Sequence, residues 1–243
     1  VHVDLLIAID DTDNLEPDCV GTGRLARMLA TYLAERGVCK RANVTRHQHF
    51  VHADIPFTSH NSSACLLAEK VTASREEVAE LARQFLADHP NAGANPGLVV
   101  IEPSAVPGWL LDFAKRTQTE VVTLAEADQV AARLDGFVWS AGETGQGRIG
   151  ALAAVALRGS GEDGRFIGLR GIRGLEGAMS VAEIVANSSV ERVESLDGTE
   201  LAPDTRIHTQ DWVRPALRGG VPVMRVQLRD GRWIPEDKWR TYR

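Results

Sequence analysis

Val3-Asp4-Leu5-Leu6-Ile7-Ala8-Ile9-Asp10-Asp11-Thr12-Asp13 is the stretch around which the rest of the chain organises. Val3 to Ile9 are apolar but for Asp4 and read as a strand, which then ends in a cluster of three carboxylates, Asp10, Asp11 and Asp13. Such a cluster repels itself unless a cation neutralises it. Hard divalent ions such as Mg²⁺ take oxygen ligands and bind through one or two carboxylates plus substrate phosphates. In extended backbone Asp11 and Asp13 point to one side and Asp10 to the other. Two carboxylates can then face one ion while the third orients a water or supports a neighbour. The competing reading is a solvated turn in which Asp side chains bond nearby backbone N–H groups. Position at the end of a buried strand, where ligands of α/β sheets gather, favours the ion. Gly21-Thr22-Gly23 follows, and there a helical pattern begins. A helix N-terminus offers N–H groups and a positive dipole end, which suit phosphate. Acid cluster, glycine-flanked hydroxyl and helix start together predict a metal–nucleotide site.

The 243 residues suffice for one large domain or two small ones with a substantial core. Hydrophobic residues make up 44% and charged residues 25%, an ordinary globular balance. A net charge of −6 argues against a generic polyanion-binding surface, although Arg outnumbers Lys and gathers in the second half. No apolar run approaches the roughly 20 residues of a membrane span, and the first residues lack a signal-peptide pattern. Cys19, Cys39 and Cys65 form no CxxC pair, so a reduced, cytoplasmic protein is expected.

Leu25, Met28, Leu29, Tyr32 and Leu33 recur at helical spacing up to Gly37, which suits a C′ position. Strands are expected around 49–55 and 64–68, with the polar loop 58–63 between them. Ser74, followed three residues on by Glu77, makes a capping box for a helix over 75–87. Residues 91–97 read as a turn-rich loop leading into the short buried strand Leu98-Val99-Val100-Ile101. Helices near 108–115 and 125–134 flank a further short strand at 120–123. The glycine-rich loop 142–150 opens into Ala151-Leu152-Ala153-Ala154-Val155-Ala156-Leu157, which is apolar all round and hence a core helix. Residues 166–170 read as a strand. From about Ser188 the runs shorten and become β-like, with turn dipeptides Asp197-Gly198 and Asp230-Gly231, and 221–228 should pair with 232–234 as a hairpin. The expected fold is α/β with a mixed α+β sheet: one compact domain, helices on a central sheet, and a small β-rich C-terminal extension.

Thr22 suits an N-cap, its hydroxyl satisfying a helix N–H; equally, that hydroxyl could face a phosphate or accept a phosphoryl group. Arg24 and Arg27 lie in the first turns, set to meet phosphate or to lie along a solvated face. Gly145-Gln146-Gly147-Arg148-Ile149-Gly150 has phosphate-loop composition but no Walker pattern, and close packing of a helix on the sheet would demand the same small residues. Arg148 is the charged candidate there. Asn95-Pro96-Gly97 reads as a structural turn. His47, His49, His52 and His60 lack acid or Cys partners at metal spacing, so zinc is not expected. No nucleophile elbow or Cys–His pattern supports acyl chemistry.

Ile9-Asp10-Asp11-Thr12-Asp13, Gly21-Thr22, Asn95-Pro96-Gly97 and Gly147-Arg148-Ile149-Gly150-Ala151-Leu152-Ala153-Ala154, in this order, resemble the kinase-type domain of archaeal tRNA-isoleucine agmatinylcytidine synthetase (TiaS). That domain carries IDDTD, a Thr-containing helix start, an NPG turn and a GRGLIGALAA segment. Four motifs in register over roughly 1–173 are more specific than any one of them. The resemblance implies ATP- and Mg²⁺-dependent phosphoryl transfer, which in the family activates a cytidine carbonyl of the anticodon for attack by agmatine. It implies that Asp10, Asp11 and Asp13 hold Mg²⁺ on the ATP phosphates; Asp11 or Asp13 could in addition serve catalysis as general base, a role left open because an Mg²⁺-bound Asp is a poor base. Thr22 corresponds to the threonine that the family phosphorylates on itself. Gly21, Arg24, Asn95, Gly145, Gly147 and Arg148 would line the nucleotide.

The chain also departs from the pattern. The spacing from the acid cluster to Thr22 is slightly longer, and Gly23 stands where the family has a second hydroxyl. The segment after Arg173 is short and holds no cysteine, so the family's OB-fold and zinc ribbon are not expected. The expected organisation is a TiaS-kinase-like ATP/Mg-binding domain over 1–173 and a β-rich extension over 174–243 packed on it. The expected activity is a Mg-dependent, ATP-utilising phosphotransferase with a tRNA-like or small-molecule acceptor. A catalytically silent nucleotide- or RNA-binding module is the alternative. Its contacts would come from the Arg-rich tract 158–173 and from Arg214, Arg218, Arg225, Arg229, Arg232, Trp233, Trp239 and Arg240. A subunit of a split tRNA-modifying complex is a further reading. The acceptor and the oligomeric state, a homodimer included, stay open.

Overall fold

Leu5, Leu6, Ile7, Ala8 and Ile9 are consecutive and all buried, so the strand that carries them, β1 (Val3–Asp10), must be covered on both faces. The structure, a computed structural model, describes residues 2–58, 60–209 and 212–236. Among them are six α-helices and twelve strands, the mixed α/β class expected. The chain forms two compact units, Val1–Ser160 and Gly161–Arg243.

In the first unit β1 is central. With β2 (Arg41–Gln48), β3 (Ser62–Val71), β4 (Gly97–Ile101) and β5 (Phe137–Ser140) it forms the order β5-β4-β1-β3-β2, every pairing antiparallel. Leu6, Ala8, Cys65, Val99 and Ile101 meet α3 (Gly108–Thr117), α4 (Leu124–Arg133) and α5 (Gly147–Gly159) in one core layer. Across the sheet, α1 (Thr22–Glu35) packs on β1, β2 and β3, and α2 (Arg75–Ala87) on β4 and β5. Side chains alternate between sheet faces, so with helices on both sides the central strand loses the polar–apolar alternation of a half-exposed one. As expected, α5 is buried nearly all round, from Gly150 to Arg158.

Two expected strands are corrected. Residues 49–55 contain turns, and the strand lies earlier, at β2. Its sequence, RANVTRHQ, carries little apolar signal. Backbone pairing along its whole length with β3, from Arg41↔Glu69 to Gln48↔Ser62, makes it a strand instead. Residues 120–123 form a connection because Thr123 is the N-cap of α4, in a capping box with Glu126. The strand on β4 is β5, which the sequence reading missed.

The capping box at Ser74 is formed as read: Ser74 Oγ accepts the Glu77 N–H at 3.2 Å, and Glu77 Oε2 accepts the Ser74 N–H at 2.8 Å. Ser74→Ala is expected to cost about 1 kcal/mol, lowering the thermal midpoint by about 2–4 °C in circular-dichroism melts. An unchanged midpoint would show the cap to be dispensable.

The second unit holds β6 (Arg165–Gly168), β7 (Gly177–Ser180), α6 (Val181–Asn187), β8 (Arg192–Ser195), β9 (Arg206–Thr209), β10 (Ala216–Arg218), β11 (Val221–Arg229) and β12 (Arg232–Pro235). The pairings β6–β10, β10–β11, β11–β12 and β7–β9 are antiparallel, whereas β8–β11 and β9–β12 are parallel. The expected hairpin is present. Asp230 and Gly231 both have positive φ, 51° and 72°, the backbone that a two-residue turn between twisted strands requires. Ile172, Ile184, Val193, Ile207, Met224 and Val226 are core residues, with Trp233 packed against them. Arg165 and Arg225 are ion-paired with Glu236, and Trp212 lies under the guanidinium groups of Arg173 and Arg214 at 4.3 and 4.5 Å. Trp239 and Arg240 lie outside the described residues. No helix among the described residues is long and apolar enough to cross a membrane.

Candidate functional site

Strand direction assembles the site. Asp10 is paired with Gly97 and Gly97 with Ser140, so the end of β1, the start of β4 and the end of β5 share one sheet edge. The chain leaves β1 as the acid turn, enters β4 through Asn95-Pro96-Gly97, and runs from β5 through the glycine-rich loop into α5. The parallel-sheet rule used to place the site does not apply to this antiparallel sheet; the shared edge does that work.

Asn95 stitches the three segments. Its N–H donates to Asp11 O (3.1 Å), its carbonyl accepts the Gly147 N–H (3.0 Å), and its Oδ1 accepts the Thr144 N–H (2.7 Å). The approach of α5 is close enough to require glycine. A Cβ on Gly147 would stand 2.5 Å from Gly97 N, 2.6 Å from Asn95 O and 2.7 Å from Asp10 O. One on Gly150 would overlap the Asp10 carboxylate.

The three carboxylates have different surroundings. Desolvation, then the charges of Asp11 and Asp13, push Asp10 up to about 8. Asp11 is also raised, first by desolvation; the neighbouring Gln146 side chain opposes this, and the Asp13 charge adds to it. Asp11 has φ 50°, so the extended alternation expected of Asp10 to Asp13 stops there. Its Oδ2 is buried with no hydrogen-bond partner. An unsatisfied buried polar atom costs about 1–3 kcal/mol, more if charged. Asp13, by contrast, is engaged at both oxygens: Oδ2 accepts the Thr22 N–H at 3.3 Å, and Oδ1 accepts the Thr58 hydroxyl at 3.0 Å. Among the described residues no group of three or more His, Cys, Asp and Glu side chains could hold a metal ion. What fits the donors is an ion that shares one or two carboxylates with phosphate oxygens and water.

The N-cap of α1 is Gly21, and Thr22 is the first helical residue, which corrects the N-cap expectation. Thr22 is buried, and its Oγ1 accepts a hydrogen bond from Thr12 Oγ1 at 3.0 Å. Arg24 is exposed and lines a surface groove with Arg27, Tyr32 and Phe85. The N–H groups opening α5 already have acceptors: Gln146 donates to Thr144 Oγ1, Gly147 to Asn95 O, Arg148 to Gly145 O and Ile149 to Gln146 O. Arg148 Nε donates to Gly145 O at 3.1 Å, and its guanidinium pairs with Asp128. An anion at this helix start would therefore have to displace bonds made in this conformation.

Sequence reasoning missed Thr12, Thr58, Asn91 and Gln146. Thr12 lies inside the acid motif and could have been noticed. Asn91, whose Nδ2 donates to Thr12 O at 2.6 Å, and Thr58 reach the turn from distant loops and carry no local signal. His49 is buried and bonded to the hydroxyls of Ser63 and Thr117, at 2.7 and 3.1 Å. Burial pushes the Cys65 thiol up to about 12.

Solved structures share this fold, a five-stranded antiparallel sheet whose central strand runs into IDDTD beside a helix opening on Gly-Arg. The chain is similar to TiaS. A crystal structure of TiaS in complex with an isoleucine tRNA and ATP aligns with a TM-score of 0.54 at 24% identity over 64% of this chain. The complex of TiaS with the same tRNA, AMPCPP and agmatine aligns with 0.52 at 26% identity over 63%. A tRNA fluorescent labeling enzyme aligns with 0.53 at 26% identity over 63%. This chain spans 36% of the length of each of these proteins. No family model and no curated protein matches it.

Proposed function

We propose that the first unit binds ATP with Mg²⁺ at the acid turn and transfers a phosphoryl group to a tRNA-like or small-molecule acceptor, as a kinase-type module in tRNA modification. The observation that carries the reading is Asp11 Oδ2, a buried carboxylate oxygen without a partner among the described residues, on a turn flanked by two further acids, Asp10 and Asp13. The likeness to structures described as complexes with ATP or AMPCPP supports it.

Phosphoryl transfer asks a protein mainly for positioning and charge neutralisation. Asp11 would be the principal ligand for Mg²⁺, with Asp10 beside it. Bound there, the ion would neutralise charge on the phosphate oxygens. Asp13 orders the start of α1, and the buried Thr12–Thr22 pair shapes that start. The α5 dipole points its positive end toward the same edge, and Arg148 becomes available to phosphate once it leaves Asp128. Thr22, held by Thr12, serves here as a structural hydroxyl.

The reading is tested by incubating the protein with ATP labelled at the γ or the α phosphate, with and without bulk tRNA, and separating the products. Label is expected to leave ATP only when Mg²⁺ is present, and EDTA should stop it. If all label stays in ATP under every condition, the catalytic reading falls. Retention of labelled tRNA in a salt-sensitive manner would then favour the silent binding module.

A further inference from the structure

Thr58 belongs to the loop 49–61, which joins β2 to β3 and whose two ends are pinned. The His49 N–H donates to Asn61 O (2.8 Å), the Phe50 N–H to Thr117 O (2.8 Å), and Asn61 Nδ2 to Phe50 O (2.6 Å). Between these anchors Val51 and Phe57 are exposed, and the Thr58 hydroxyl reaches the acid turn, donating to Asp13 Oδ1. The other oxygen of the same carboxylate accepts the Thr22 N–H at the first residue of α1. One side chain thus joins a loop distant in sequence to the acid turn and, through it, to the helix start that follows that turn.

We propose that Thr58 is a positioning residue for the nucleotide site, acting through Asp13. The inference rests on the functional reading above and assigns a residue outside the acid motif. A carboxylate has freedom about its side-chain torsions unless neighbours hold it. A hydrogen bond to a charged group is among the stronger ones a protein makes. With Thr58 bound to Oδ1, Asp13 keeps Oδ2 on the Thr22 amide, and the turn that carries Asp11 is held against α1. Without it Asp13 can rotate, the α1 amide loses its acceptor, and the Asp11 turn loosens. Binding of the metal–nucleotide pair should suffer more than the chemical step, because the reacting groups themselves are unaltered.

The experiment compares wild type, Thr58→Val, Thr58→Ala and Thr58→Ser by hydrogen–deuterium exchange and by steady-state ATP turnover. In the valine and alanine variants, amide exchange should quicken about tenfold over 50–61 and also over 12–24, which contains the Thr22 amide, the change expected for losing one charged hydrogen bond. KM for MgATP should rise about tenfold with little change in kcat. Thr58→Ser should restore both. Exchange that quickens over 50–61 alone, or KM that stays put while exchange over 12–24 quickens, overturns the proposal. Should the wild type turn over no ATP at all, the functional reading fails separately, and exchange over 12–24 still decides whether Thr58 positions Asp13.

Discussion

Asp11→Asn is expected to cut Mg²⁺-dependent ATP turnover by at least about a hundredfold, on the scale of removing one fixed electrostatic contact from a reacting centre, while leaving the fold intact. Asparagine keeps the size of the side chain and tolerates the left-handed backbone at φ 50°. It removes the negative charge at the position where the structure leaves a buried oxygen unsatisfied. The sign of the stability change is a second readout. Desolvation raises Asp11 above its ordinary value in the folded state, so its ionised form opposes folding once pH exceeds the unfolded pKa. A neutral asparagine removes that opposition, and the thermal midpoint at pH 7 should hold or rise. Mg²⁺ with a nonhydrolysable ATP analogue should raise the wild-type midpoint by mass action and leave that of the variant unmoved. Undiminished turnover, or an equal ligand-induced shift in both proteins, would remove Asp11 from the metal site.

Gly97→Ala should be the most damaging single methyl group that can be added to the first unit. A Cβ there would overlap the backbone of Gly147 and the amide of Arg148, and backbone at both ends leaves nothing flexible to yield. Either β4 must part from β1 or α5 must lift from the sheet edge, and α5 is the buried helix around which one core layer is built. A loss of more than about 4 kcal/mol is expected, the range reserved for a named structural conflict, with a midpoint about 10 °C lower or no soluble protein. Gly108→Ala is the control: this glycine opens α3 with nothing within 4 Å of an added Cβ, and its midpoint should hold or rise slightly. Equal tolerance of both changes would mean that α5 does not rest on the strand ends as described.

These two residues mark how far the sequence could be read. Asp11 was legible, because a run of acids closing an apolar strand is a local pattern with a local physical consequence. Ser74 with Glu77, the turn at Asp230-Gly231 and the all-apolar helix after Gly150 were legible for the same reason: each is decided within a few residues. The strand β2 was not. Its own side chains carry little pattern, and it is a strand because β3 supplies its hydrogen bonds. Gly97 reads as part of a turn, and Gly147 equally well as phosphate loop or packing contact. Composition cannot separate these when each demands the same absence of a side chain.

From the order of its residues alone the chain specified an acid-tipped buried strand, a glycine-entered core helix, their capped neighbours, and the kind of ion such a turn would attract. Tertiary structure alone decided that β1, β4 and β5 run antiparallel, bringing Asp10, Gly97 and Ser140 to one edge. It also decided that Asp13 accepts the first amide of α1 while Asp11 keeps an unpartnered oxygen, and that Thr58 reaches in from a distant loop. The division has one cause: local pattern is set by neighbours along the chain, whereas each carboxylate's partners are set by whichever segments the sheet's pairing register places beside it.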